Sequence, residues 1–365
     1  MSKYCHENKE SMPNRSELMF QEAIKSPETR KMYQNSLDKF LKFHNISSQY
    51  ILSISKSDIQ ILVEDYVFDL KKRNLTRMSI KGYLQGVKLF LELSDVVLNW
   101  TKIKRFYPEA SKKSGQKAYT NEDVREILNS SINKKFRCLV HLLASSGMRI
   151  GGVRELQMKH LGDMPHGCKS VLVYADTKDE YLTFISPEAV KALDNYLDER
   201  RSQGDKITSD SFVVVTDKRG FKQCNDTTIR MVIARKVANL KTSKIITGNR
   251  TDKMVNHAFR KRFNTILKSN KEINIVLAER MLGHSVTIPL DNSYLDVTKE
   301  NLFEEYLKAL QELYVDEKYK LEYQLVENQQ KIEELESKDN KIKALELQML
   351  EMKMHMENII SKSSA

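Results

Sequence analysis

Residues 256–263 read NHAFRKRF, and residues 281–294 read MLGHSVTIPLDNSY. His257 and Arg260 stand three apart in a segment whose apolar residues (Ala258, Phe259, Phe263, Ile266, Leu267) repeat at helical spacing. That spacing predicts a helix with both polar groups on one face. Leu277 to Leu282 reads as the end of another helix, with Gly283 as its C-terminal stop and His284 emerging at the corner. Pro289 breaks the chain beyond that corner, so Tyr294 arrives on a new, short element. Two imidazoles, a guanidinium and a phenol are thereby placed to converge on one pocket.

A phenol is a poor nucleophile at neutral pH because its pKa is about 10. It becomes useful against an anionic phosphodiester surrounded by cations that stabilise the transition state. Many nucleases recruit metal ions for that purpose. Here arginines and histidines would serve, which points to a covalent transesterification needing neither metal nor cofactor. The bland alternative is a surface helix with an incidental His and Arg, followed by a loop tyrosine. An upstream partner changes the balance. Residues 139–161, LVHLLASSGMRIGGVRELQMKHL, place Arg149 directly after a Gly147-Met148 corner at the end of an apolar helix, where its side chain would turn into a cleft.

Taken together, Arg149, His257-x-x-Arg260, Gly283-His284 and Tyr294 resemble the signature of the tyrosine recombinases, the phage-integrase family. Local contexts match as well: S-G-M-R-I, H-x-F-R and L-G-H-S. The resemblance covers residues 120–305 by motif and residues 18–105 by general pattern. It implies a site-specific DNA recombinase in which Tyr294 forms a 3′-phosphotyrosine and Arg149 and Arg260 clamp the phosphate. His257 would serve as base or orienter and His284 as a donor. It also implies a lysine on a β-hairpin that protonates the leaving 5′ oxygen. Two β-rich runs, Ser170 to Tyr174 and Tyr181 to Ile185, flank a polar turn that contains Lys178, chosen over Lys169 for that reason. Two departures are visible. Where the family commonly places an acid one turn after the first arginine, this chain has Gly152, with Glu155 a turn further on. Tyr306 and Tyr314 also compete with Tyr294 as nucleophile. Type IB topoisomerase-like relaxation and a non-catalytic DNA-bridging protein of the same fold are the alternatives.

Composition fits a nucleic-acid partner. The 365 residues carry 60 Lys+Arg against 49 Asp+Glu, net +11. Residues 311–365 hold 8 basic and 12 acidic residues, net −4, which leaves 52 against 37, net +15, in the rest. A basic body suits double-stranded DNA, because phosphate neutralisation supplies most sequence-independent affinity. Four scattered cysteines lack C-x-x-C spacing, and no long apolar run occurs, so the expectation is a soluble cytoplasmic protein without disulfides, a zinc site or a membrane span.

Along the chain, residues 1–17 are expected to be disordered and residues 18–106 to form a small all-helical module. In the family this would be the core-binding domain, with Arg77, Lys81, Lys88, Lys104 and Arg105 facing the DNA backbone. Residues 107–119 read as a linker, whose Lys112 and Lys113 join the expected DNA-binding residues. Residues 120–310 form the catalytic domain, opened by a capping-box-like Thr120 to Asp123. The stretch 241–253 reads as a polar loop. The fold class is thus mainly α with a small β-hairpin in an α+β catalytic domain. From 311 to 361 a tail extends, with apolar residues at Leu321, Leu325, Ile332 and Leu335, then Ile342, Leu345, Met349, Met352, Met356 and Ile359. This is a heptad seam with Asn328 on it and a three-residue slip after Leu335. It predicts a coiled-coil helix and a homo-oligomer, a tetramer on DNA by the family resemblance, in which the segment after the nucleophile often packs on a neighbouring protomer.

Overall fold

The computed structural model describes residues 15–110, 117–216, 220–238, 240, 245–247, 250–284 and 297–363. The chain divides into two compact units, 1–113 and 114–365.

The first unit is helical among its described residues: α1 (Arg15–Glu22), α2 (Pro27–His44), α3 (Ser48–Ser53), α4 (Lys56–Lys72), α5 (Arg77–Leu93) and α6 (Trp100–Arg105). Its helix starts are encoded locally. Ser26, Ser47, Ser55, Thr76 and Asn99 each accept a backbone N–H from the first turn of the helix they precede. Phe40, Val63, Leu70, Val87 and Phe90 form the dry centre where the helices meet. Two expectations need correction here. Helix α1 begins at Arg15, inside the stretch expected to be disordered, because Phe20 is buried against Phe90. The short α3 was not anticipated at all, and Ile51 anchors it in the core.

The second unit begins with α7 (Asn121–Asn129), whose Thr120 and Asp123 form a capping box. Helices α8 (Lys134–Ser146) and α9 (Ile150–Glu155) come next. A three-stranded antiparallel sheet succeeds them, in the order β1 (Leu161–Asp163), β2 (Lys169–Val173), β3 (Tyr181–Ile185). The hairpin expectation thus grows by one strand. Leu161 pairs with Val171 and Asp163 with Lys169, a register too short to show in the sequence. Helices α10 (Pro187–Ser202) and α11 (Asp226–Val237) lead to β4 (Ile245–Thr247) and β5 (Arg250–Thr251), a small ribbon where a polar loop was expected. Then come α12 (His257–Ser269), α13 (Ile275–Met281), α14 (Lys299–Leu313) and α15 (Glu317–Ser363).

Helix α8 is buried along nearly its whole length and is the axis of this unit. Its C-terminal end lies in the core, where four carbonyls must find donors outside the helix. Leu143 O accepts the Gly147 N–H, Ala144 O accepts from Arg262, Ser145 O from the Tyr306 hydroxyl and Ser146 O from Thr183. Side chains from α12, α14 and β3 therefore converge on this one helix end.

The tail starts later than expected. Leu313, Tyr314 and Val315 are buried in the second unit, and the Glu188 carboxylate accepts the N–H groups of Val315 (3.0 Å) and Asp316 (2.9 Å). The independent helix begins only at Glu317, not at Gln311. Helix α14 also packs on this chain's own α12 and α13, rather than standing free for a neighbour. Cys138, Cys168 and Cys224 are buried.

Candidate active site

The α8 helix stops at Gly147, which has φ +61°, and α13 stops just before Gly283, which has φ +60°. Only glycine takes this left-handed geometry without cost, and here side chains also press on both positions. A Cβ at Gly147 would lie 2.5 Å from Phe263, and one at Gly283 would lie 2.3 Å from Tyr181. The two corners face one another; Gly283 is followed at once by His284, and Gly147 by Met148 and then Arg149.

Arg260, on the first turn of α12, joins the corners. Its guanidinium is 6% exposed, donates to Gly147 O at 2.8 Å, and also donates to Leu282 O. Arg149 is exposed and donates to Gly283 O at 3.3 Å. Burial, and then the Arg149 charge, pull the Arg260 guanidinium below its ordinary value. The Tyr181 phenol faces both arginines; burial raises it, and the two cations only partly offset that.

A cavity of about 930 Å³ opens in front of these groups, with Arg149, Lys178, Tyr181, Gly283 and His284 on its wall. Lys178 is exposed at the tip of the β2–β3 turn, whereas Lys169 lies in β2 and is bound to Asp163. His257 opens α12 beside this group. Burial first, then the charges of Lys261, Arg260 and Arg149, push its imidazole below the usual value, so it is neutral at physiological pH. The structure therefore brings Arg149, Lys178 and His284 onto one wall, with Arg260 behind them and His257 within electrostatic reach. Tyr294 lies outside the described residues. Val297 lines the same cavity as His284. Tyr306 and Tyr314 do not line this cavity. Tyr306 is fully buried with its hydroxyl donated to Ser145 O (3.0 Å), and Tyr314 is packed against Tyr319.

Three groups at this site were not singled out from the sequence. Glu279, five residues before His284, binds the Nδ1 of that ring and also Lys268. Burial opposes its ionised form, but Lys268 and His284 outweigh burial and hold the carboxyl below its usual range. The carboxylate on Nδ1 orients the ring and turns Nε2 outward. Tyr174 and Tyr181 are the other two, their rings 6.3 Å apart. Tyr174 has φ +56°, unusual for a bulky residue. Val173 and Tyr174 account for the missing acid. A Cβ at Gly152 would lie 2.5 Å from Val173, and one at Gly151 would lie 2.8 Å from the Tyr174 hydroxyl, so β2 and its turn occupy the space an acid would need. Glu155, a turn further on, is ion-paired to Arg154.

The profile of the phage integrase family matches residues 117–301, about half of the chain and all of the site just described. The chain belongs to the phage integrase family, the tyrosine recombinases. Solved structures share the fold of this integrase-family chain. A XerH site-specific recombinase in a post-cleavage complex with a palindromic difH substrate superposes with a TM-score of 0.54 at 16% identity, covering 76% of this chain and 78% of that one. The Tn1549 transposon integrase in complex with transposon right end DNA gives 0.52 at 14% identity, covering 80% and 98%. No curated protein matches the chain.

The basic residues of the integrase's first unit are also placed. Arg77, Lys81 and Lys88 lie on one face of α5 and share a groove of about 610 Å³ with Lys104, Trp100 and Tyr107. The Lys88 ammonium sits 5.8 Å from the Trp100 ring centre. Arg105 is exposed but does not line this groove, and Lys112 and Lys113 lie outside the described residues.

Proposed function

We propose that this protein is a site-specific DNA recombinase that cuts and rejoins strands through a 3′-phosphotyrosine on Tyr294. The observation that carries the reading is the convergence of Arg149, Arg260 and His284 on two facing helix corners, with Lys178 lining the same cavity as Arg149 and His284. In this reading the two guanidiniums clamp the non-bridging oxygens of the scissile phosphate. The neutral His257 accepts the phenolic proton as the Tyr294 oxygen attacks phosphorus. The bond to the 5′ oxygen breaks, and Lys178 protonates that oxygen as it leaves. His284, oriented by Glu279, donates from Nε2 to the phosphoryl oxygen. The ester conserves bond energy, so rejoining needs no ATP. The groove of Arg77, Lys81, Lys88 and Lys104 supplies backbone contacts to the same duplex. Catalytic bodies assemble in fours on paired sites, helped by self-association of the tail.

A nicked suicide duplex, built from repeats that flank the gene, tests this. The short fragment released by cleavage diffuses away, so the adduct cannot reverse. The expected result is a denaturant-resistant protein–DNA adduct through the 3′ phosphate, lost in Tyr294→Phe while folding and DNA binding persist. An adduct mapped to another residue would overturn the assignment of Tyr294. On a plasmid carrying two sites, relaxed monomers without recombinants would favour a topoisomerase. Bound DNA without any covalent change would leave only a bridging protein.

A further inference from the structure

Helix α15 runs unbroken for 47 residues, about 70 Å at 1.5 Å per residue. Between Leu321 and Met352 its apolar seam residues are 48% to 71% exposed, the extremes being Ile332 and Met349. A helix this long with an open apolar stripe requires a partner to cover it. We propose that the partner is the same helix of a second copy, running parallel and in register, to give a two-stranded coiled coil. This rests on the self-association reading above and adds orientation, register and strand number.

Three features of the seam carry it. Counting heptads, Leu325, Ile332, Ile342 and Met349 fall at a positions, and Leu321, Asn328, Leu335, Leu345 and Met352 at d positions. Isoleucine at a with leucine at d is the pattern that favours two parallel strands over three or four. Asn328 stands on the seam, and in register its amide meets its own counterpart, whereas any slip would bury it against leucine. The flanking charges then choose the direction. In a parallel pair each g residue faces the e residue five positions on in the other chain. Lys331 meets Glu336 of the second copy and Lys341 meets its Glu346, while Gln324 meets Gln329 and Gln348 meets Lys353. Along the seam from Leu321 onward both pairs of opposite charge are attractive, and only Glu317 with Glu322, at the first turn of the helix, sets like charges together. Antiparallel pairing would set e against e and g against g, bringing Lys331 and Lys341 against each other and placing Glu336 and Glu346 among e residues whose one cation is Lys353. Val326, Leu347 and Leu350 are exposed off the seam and stay so in this pair.

The test uses the full chain in a Cys5→Ser background, Cys138, Cys168 and Cys224 being buried. Leu335→Cys should oxidise to a disulfide-linked dimer on a non-reducing gel, while Ser337→Cys, off the seam, should not. Lys331→Glu should weaken the dimer about tenfold by sedimentation, and Lys331→Glu with Glu336→Lys should restore it. A monomer at all concentrations would overturn the self-association reading itself. A dimer in which Leu335→Cys fails to cross-link, but mixed Leu321→Cys and Met352→Cys chains do, would overturn the parallel arrangement alone. A cross-linked trimer or tetramer would overturn the two-stranded count.

Discussion

Arg262→Ala should cost the second unit about 4 kcal/mol, although the residue lies two positions from Arg260 and faces away from the cavity. Its guanidinium is 2% exposed and burial lowers it to about 10. It donates to Asn121 Oδ1 (2.6 Å), Ala144 O (2.9 Å), Glu312 O (3.1 Å) and Leu313 O (3.0 Å). Three of these are C-terminal carbonyls of α8 and α14, with no further residue of their own helix to satisfy them. Truncation strips four oxygens, two of them buried and two part-buried, of their donor at about 1 kcal/mol each, the net of lost hydrogen bonds and a charge no longer buried. At roughly 2–4 °C per kcal/mol for a unit of this size, the melting temperature should fall by about 10 °C. Arg262→Lys, with fewer donors and no planar fork, should recover about half. Arg149→Ala is the control: exposed, with one 3.3 Å hydrogen bond, it should shift melting by no more than about 2 °C while abolishing adduct formation. Thermal unfolding followed by circular dichroism and calorimetry reads all three. A loss under about 1 kcal/mol for Arg262→Ala would refute the carbonyl accounting, as would Arg262→Lys behaving like wild type.

Stability should also fall in mild acid. His141 is buried on α8 and pushed down to about 3, by burial first and then by Arg137. Its unfolded value is 6.5, so the unfolded chain binds the proton more tightly, and stability present above that value drains away as pH falls from 6.5 toward 3. Unfolding free energies from denaturant titrations at pH 7 and pH 5 should differ by about 2 kcal/mol, and His141→Gln should flatten the slope. Adduct formation should survive excess EDTA; restoration by magnesium after a chelator-induced loss would contradict the proposed chemistry. Ending the chain after Gln324 should leave a folded, monomeric, cleaving protein with poor recombination. Ending it after Leu310 should unfold the second unit, because Leu313, Tyr314 and Val315 go with it.

That last contrast shows where the sequence is silent. Helical patterning continues across residues 299–363 without a Gly or Pro, so nothing in the chain marks a boundary at Tyr314 to Asp316. The break is made by Glu188, some 127 residues away, taking the backbone N–H groups that would have continued the helix. Arg262 is equally hidden. In the run Arg260-Lys261-Arg262 three cations look alike, and only tertiary packing buries the outer two and leaves Lys261 nearer the surface. Strand β1 exists because β2 offers it a ladder, not because Leu161-Gly-Asp163 prefers extension. By contrast, the N-caps at Ser26, Ser55, Thr76, Thr120 and Ser186 and the stops at Gly147 and Gly283 are local signals, and the structure uses each as such. Arg149, His284 and Lys178 were legible because each sits at a corner or turn that such signals define.

The same corners account for how the cavity holds its cations ready. A helix C-terminus carries about half a negative charge, and α8 and α13 both end at the cavity. Left bare, those ends would repel a phosphate. Arg260 covers Gly147 O and Leu282 O, and Arg149 covers Gly283 O, so the carbonyls orient the guanidiniums and the guanidiniums reverse the sign of the surface. Within this arrangement Arg149 opposes the charge on the buried Arg260. An incoming phosphodiester would relieve that opposition, and the relief would grow as charge accumulates on the phosphoryl oxygens in the transition state. Under the proposed function, the repulsion stored between the two arginines in the folded state thus becomes differential binding of the transition state, with the helix ends keeping both cations fixed throughout.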